Sequence, residues 1–218
     1  MMMRTTIVLA LLAGCPALPT SAGLGEPEIL AIVADPPCVA PGGSATLAVL
    51  VAGPSGTLVP DRVSWSVPDG DAASISMTSA GAPVVDAGAT ATRGTSVEID
   101  VDVAIGSTEL RGFRTLAIGD GCANPTIDAV DVGGTVQPPA TTIDVPAGSD
   151  VALDVDVTDG IASTGIVSWY STAGAIDLYR QTPTTLAVTS QPGAAVLYVV
   201  YRDGLGGVTW RAYAVEVD

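Results

Sequence analysis

The chain has 218 residues and a formal net charge of −15 at pH 7, from 23 acidic residues against 8 basic ones, and contains no histidine. Every base is an arginine, so a Ser-His-Asp triad, a Cys-His pair, a Ser-Lys dyad, Schiff-base chemistry and the common zinc sites are all excluded. The same balance argues against recognition of nucleic acid or anionic lipid by charge, because both need clustered positive residues.

The N-terminus carries one charge, Arg4, then the apolar run Ile7-Val8-Leu9-Ala10-Leu11-Leu12, then the small residues Ala13 and Gly14 before Cys15. This is the build of an export signal, and the run is too short to span a bilayer, which takes roughly 20 apolar residues. Leu12-Ala13-Gly14-Cys15 resembles the lipobox of bacterial lipoproteins position by position. The resemblance implies a diacylglycerol thioether on Cys15, cleavage before it, and a lipid-anchored protein whose two or three acyl chains hold it at the membrane. The alternative is an ordinary secretory signal with an incidental cysteine, although such signals more often end in Ala-x-Ala. On the lipobox reading, residues 1–14 are the signal and 15–25 the lipidated cysteine with a flexible tether. Pro16 stands where aspartate would retain an enteric lipoprotein at the inner membrane, so by resemblance the address is the outer membrane, facing the periplasm or the cell surface.

Removing the signal leaves about 204 residues, enough for one large all-β domain or two of about 95 residues. Val, Thr and Ile are abundant, Gly and Pro recur at short intervals, and no stretch sustains helical apolar spacing, so the expected class is all-β with almost no helix. Setting Cys15 aside leaves Cys38 and Cys122. In an exported protein this even remainder reads as a disulfide, with two free buried thiols as the alternative.

The chain then repeats itself. Val39-Ala40-Pro41-Gly42-Gly43 corresponds to Val145-Pro146-Ala147-Gly148-Ser149, Val63-Ser64-Trp65 to Val167-Ser168-Trp169, and Phe113-Arg114-Thr115-Leu116-Ala117-Ile118 to Trp210-Arg211-Ala212-Tyr213-Ala214-Val215. Three anchors in one order indicate a duplication joined near Gly119 to Asn124, with domains over 26–121 and 122–218. Each copy has period-two strands bounded by turns: Glu98 to Val103 and Asp150 to Val157 alternate branched apolar residues with carboxylates. Ala194 to Tyr201 is apolar at every position, as for a central strand, and Asp203-Gly204-Leu205-Gly206-Gly207 supplies a tight connection into a last strand.

With its Pro-Gly or Ala-Gly turn before the second strand, one tryptophan on the third and a penultimate strand running into Asp-Gly, each copy resembles bacterial immunoglobulin-like or PKD-like domains. Ala34-Asp35-Pro36-Pro37-Cys38-Val39-Ala40-Pro41-Gly42 is similar to the opening of two-domain lipoproteins of myxobacteria-like Gram-negative bacteria. The resemblance implies two tandem immunoglobulin-like β-sandwiches and a cell-envelope address, and carries no activity. Neither copy has the cysteine pair that pins the two sheets in antibody domains. Trp65 and Trp169 are therefore expected against aliphatic residues, and Cys38 with Cys122 would tie the start of the first domain to the joint.

Paired carboxylates could serve a glycosidase, but aspartates on the wet face of strands solvate, and no enzyme is expected. Calcium is the one cofactor the acids could hold. Its candidate ligands are Asp69 and Asp71 in one turn and Asp203 in another, and turn chemistry accounts for the same residues. Aromatics concentrate in the second copy, where they serve as core or as binding anchors, and Tyr170 and Tyr179, flanking predicted loops, are the expected contact residues. These readings combine into a non-enzymatic envelope lipoprotein binding or scaffolding an unknown envelope protein or glycan. Its second domain would be the membrane-distal working end of a β rod. A purely structural spacer and a calcium-dependent adhesive module are the alternatives.

Overall fold

The computed structural model describes residues 23–68 and 72–218. The lipobox with Cys15, and the candidate calcium ligands Asp69 and Asp71, lie outside these residues.

The first half contributes β1 (Glu28–Asp35), β2 (Cys38–Val39), β3 (Ser44–Gly53), β4 (Gly56–Thr57), β5 (Arg62–Ser66), β6 (Ala73–Met77), β7 (Pro83–Ala87), β8 (Ser96–Ile105) and β9 (Thr108–Ile118). The second contributes β10 (Ile127–Val132), β11 (Thr135–Gln137), β12 (Thr142–Val145), β13 (Asp150–Val157), β14 (Ile166–Ser171), β15 (Gly174–Asp177), β16 (Thr184–Val188), β17 (Gly193–Arg202) and β18 (Val208–Val217). No helix among the described residues is long and apolar enough to cross a membrane.

Each half closes two sheets face to face. The first has the orders β1-β3-β7-β6, with β4 on β3, and β2-β9-β8-β5; the second has β11-β10-β13-β16-β15 and β12-β18-β17-β14. In both halves a short strand after the first runs parallel to the last, β2 on β9 and β12 on β18, while the remaining ladders are antiparallel. This is the strand order of the immunoglobulin sandwich, with the first strand split between the two sheets. The all-β class expected from the rhythm, and the immunoglobulin-like sandwiches that the resemblance implies, are thus what is observed.

Alternation decides which side chains enter each core. On β13, Val151, Leu153, Val155 and Val157 point inward while Asp150, Ala152, Asp154 and Asp156 face solvent. Trp169 is fully buried among Ile127, Leu153, Leu186 and Leu197, with its indole N–H donating to the Gln181 carbonyl at 3.1 Å. Trp65 is half-buried and bridges two apolar clusters of the first sandwich. Both tryptophans pack on aliphatic side chains in place of an intersheet disulfide.

The duplication holds with one change of register. Val39 pairs with Ile118 and Val145 with Val217, so Ile118 is the counterpart of Val217, two residues beyond the match read from the sequence. A slip of two preserves the inward face, which is why the alternation could not reveal it.

The larger correction concerns the rod. The sandwiches lie side by side and antiparallel. Gly23 bridges to Ser171 and the Leu24 N–H donates to the Ser171 carbonyl at 3.0 Å, so the tether expected over 15–25 is already docked on the second sandwich at residue 23, with Leu24 buried. At the opposite pole Asn124 joins Ala34 to Val208. Neither sandwich is distal to the other. The cause is visible in β17: Leu197, Val199 and Tyr201 face its own core, whereas Tyr198 and Val200 enter an apolar cluster with Leu24, Leu30, Ala31, Leu50 and Ala52 of the first sandwich. A strand apolar on both faces needs cover on both, and here the first sandwich supplies it.

Candidate functional site

The seam between the sandwiches is where the described side chains make their most specific arrangement. β1 is an edge strand, paired on one side with β3, and its other edge would expose unpaired carbonyls. Three side chains close it. Arg202 donates to the Leu30 carbonyl at 2.7 Å, Arg114 to the Ile32 carbonyl at 2.7 Å, and the Asn124 amide to the Ala34 carbonyl at 2.8 Å. The carbonyls alternate as a partner strand would require, and the donors come from β17, β9 and the interdomain joint.

Two of these groups also hold the second sandwich. Arg114 donates through its other terminal nitrogen to the Gly206 carbonyl, and Asn124 Oδ1 accepts from the Val208 N–H at 3.0 Å. Arg114 is buried, with a relative exposure of 6%, and its Nε has no partner among the described atoms. Burial draws its pKa down to about 10, with Asp203 opposing that fall and Arg202 adding to it. Beside these arginines runs a cleft of about 530 Å³ lined by Ile29, Ile32, Gly112, Thr115, Gly204 and Val208, among others. A Cβ on Gly112 would stand 2.9 Å from Ile32 Cδ1, so glycine is what lets β9 approach β1 there.

At the joint, Cys38 and Cys122 form a disulfide with a Cα separation of 5.7 Å, across 84 residues of sequence. It ties β2 to the segment that carries Asn124. Arg93 pairs with Asp120 in the same region.

The sequence-derived candidates fall as follows. Asp203 spends Oδ1 on the Leu205 and Gly207 N–H groups, at 2.7 and 2.8 Å, and its carbonyl accepts from the Thr164 hydroxyl at 3.0 Å. This is a self-contained turn in which the carboxylate replaces missing backbone partners. Among the described residues no group of three or more His, Cys, Asp or Glu side chains is placed to hold a metal ion. Tyr170 and Tyr179 do come together, with ring centroids 6.0 Å apart and the Arg180 guanidinium 5.4 Å from the Tyr179 ring centre. Tyr170 also packs on the seam cluster with Trp210 and Val208, and burial pushes its phenol pKa up. The aromatic excess of the second copy, read as a binding face, has its physical reason here: Tyr170, Tyr198 and Trp210 cover the first sandwich.

Arg114, Arg202 and Asn124 were missed. One signal was available, since Arg114 falls in phase with the inward Leu116 and Ile118 of β9, where a charge needs a special acceptor. Asn124 gave none.

No family model matches the sequence, and no curated protein matches it. Among solved structures the chain is similar to the N-terminal Ig1-2 module of the Drosophila receptor protein tyrosine phosphatase DLAR, at 13% identity, covering 88% of this chain and 98% of that one, with a TM-score of 0.34. It is similar to fibronectin(III)-like modules of Clostridium thermocellum CbhA, at 13% identity, 86% and 94% coverage and a TM-score of 0.34. Titin domains z1z2, solved in complex with telethonin, match at 16% identity, 88% and 96% coverage and a TM-score of 0.27. The class, a pair of immunoglobulin-like sandwiches, rests on the strand order itself.

Proposed function

We propose that the protein is a non-enzymatic lipoprotein of the bacterial outer membrane, held by lipid on Cys15, whose two sandwiches act as one rigid binding or scaffolding body for an envelope protein or glycan. The observation that carries the reading is the closed seam. Arg202, Arg114 and Asn124 cap one edge strand while two of them grip the other sandwich, and the cysteine bridge fixes the joint. Immunoglobulin-like folds serve widely as recognition scaffolds, and a locked seam presents loops of both sandwiches in a fixed relation, which lowers the ordering cost of binding. The lipobox resemblance supports the address, and the absence of histidine and lysine supports a role without catalysis.

Two measurements test it. Cys15→Ser should move the protein from the membrane fraction to the soluble fraction and abolish palmitate labelling; retention in the membrane would refute the anchor. Cross-linking in intact envelopes should enrich one defined partner, and a partner lost on opening the seam with Arg114→Ala plus Asn124→Ala identifies the rigid body as the binding unit. An envelope that yields no partner favours a spacer.

A further inference from the structure

Resting on the lipid-anchor reading above, we propose that the protein stands on the membrane on one particular pole. The pole is the one carrying Gly23–Gly25, Pro54, Thr172 and Gln191–Ala194, and the partner it fits is the lipid headgroup surface. The interdomain joint then points away from the bilayer.

Eight residue steps separate Cys15 from Gly23, and an extended chain covers at most about 3.5 Å per step, so the leash is no longer than about 28 Å. Gly23 leaves the body beside Ser171, in a recess it shares with Pro54, Gly193 and Val217. From this pole β3 runs away over nine residue steps, from Gly53 packed on Pro27 to Ser44 beside the Gly42 turn, a length of about 30 Å at 3.3 Å per step. Turning the body over, so that the Gly42 turn and the joint touched the bilayer, would lift Gly23 at least about 30 Å above the surface. The leash is shorter than that, so the inverted orientation is excluded.

Charge decides between standing and lying flat. The flanks carry rows of carboxylates: Glu98, Asp100 and Asp102 on β8, and Asp150, Asp154 and Asp156 on β13. Anionic headgroups repel such faces within a Debye length of about 10 Å. The recess at the Gly23 pole is lined by Gly, Ser, Thr, Gln, Pro, Ala, Leu and Val, without one charged side chain, in a chain of net charge −15. It is the described surface nearest the leash, and although Glu26 and Asp218 are exposed beside it, its uncharged lining lets headgroups approach more closely than the carboxylate rows do.

The consequence is that the antiparallel packing carries the joint, the Cys38–Cys122 bridge and the Asp203–Gly207 turn together to the membrane-distal pole. A partner approaching from the aqueous side meets loops of both sandwiches at once.

The test uses the full lipidated chain in vesicles of phosphatidylethanolamine and phosphatidylglycerol, with a fluorescent amino acid incorporated singly at Gln191, Ala152 or Ala89, all exposed. Headgroup-nitroxide lipids quench by proximity. Quenching at Gln191 at least threefold greater than at Ala89 and Ala152 is the expected result. Quenching at Ala89 or Ala152 equal to that at Gln191, in protein that floats with the vesicles, overturns the orientation and leaves the anchor standing. Protein that does not float overturns both. Circular-dichroism melts matching the unlabelled chain establish that each labelled protein is folded.

Discussion

Arg202 of the second sandwich donates to the Leu30 carbonyl of the first at 2.7 Å, across 172 residues of sequence. The acceptor lies on the free edge of β1, so the bond both caps an edge strand and joins two domains. Its second contact, Ser168 Oγ at 3.3 Å, aims the guanidinium from the strand beside it. Arg202→Ala leaves a buried carbonyl without its partner, which costs about 1 to 3 kcal/mol. For a chain of this size each kcal/mol lowers Tm by about 2 to 4 °C. A calorimetric Tm within one degree of the parent would show that the cap contributes nothing.

Asn124 links both sandwiches through one side-chain amide, donating to Ala34 and accepting from Val208. Asn124→Ala removes both bonds at once and should cost a similar 1 to 3 kcal/mol. Because the joint also loses its grip on the second sandwich, the radius of gyration by small-angle scattering should rise as well. Asn124→Asp keeps the acceptor for Val208 but sets a carboxylate against the Ala34 carbonyl, so it should not restore stability.

How much of this was legible follows from the range of each signal. Alternation is local, so β13 and the all-β class could be read directly, and the paired turns at Gly42 and Gly148 exposed the duplication. The two-residue slip at Ile118 and Val217 left the inward face unchanged and therefore left no trace. The seam depends on residues 82 to 172 positions apart, which no local pattern encodes. Yet β17 displayed half of it: an all-apolar strand beside the aromatics Tyr170 and Trp210 announced cover on both faces, and the cover came from the other sandwich and not from a ligand. In the same way Asp203 offered the composition of a cation ligand, while its nearest donors were the N–H groups of its own turn.

The Cys38–Cys122 bridge closes a loop of 84 residues, for which chain entropy alone assigns a stabilisation of about 4.5 kcal/mol. Cys38→Ser with Cys122→Ser, or reduction of the parent, should lower the urea midpoint accordingly. Since the bridge orders the segment holding Asn124, combining its loss with Asn124→Ala should cost less than the sum of the two single effects. Strict additivity would separate the bridge from the seam.

Glu28, at the start of β1, has its pKa raised by burial first and by the neighbouring Glu26 second. A carboxyl whose folded pKa lies above its unfolded value of 4.5 favours folding below pH 4.5, and this contribution is lost as the pH rises through the folded value. At pH 7 the ionised group is therefore a penalty. Glu28→Gln should raise Tm at pH 7 and leave it unchanged at pH 3, a comparison that thermal melts at the two pH values settle.

Burial raises the phenol pKa of Tyr170, Tyr198 and Tyr213 above 10.0. Folding holds these groups neutral, so their contribution is complete below pH 10 and disappears as the pH climbs through their folded values. Arg114 works in the opposite sense: burial lowers its pKa to about 10, so the folded chain releases that proton before the unfolded chain does and gains stability as the pH rises above 10. The three phenols should titrate later than a free tyrosine by absorbance at 295 nm. Tyr213 separates the two costs of a buried phenol, because its hydroxyl has no partner among the described atoms while the Tyr198 hydroxyl lies 2.9 Å from that of Thr57. Tyr213→Phe removes an unsatisfied group and should raise stability at pH 7, whereas Tyr198→Phe strands Thr57 and should lower it by about 0.5 to 1.5 kcal/mol. Both replacements should remove that phenol's share of the alkaline loss in stability, since each removes one late-titrating group. Opposite signs at neutral pH would establish that the hydrogen bond, and not the burial, distinguishes them.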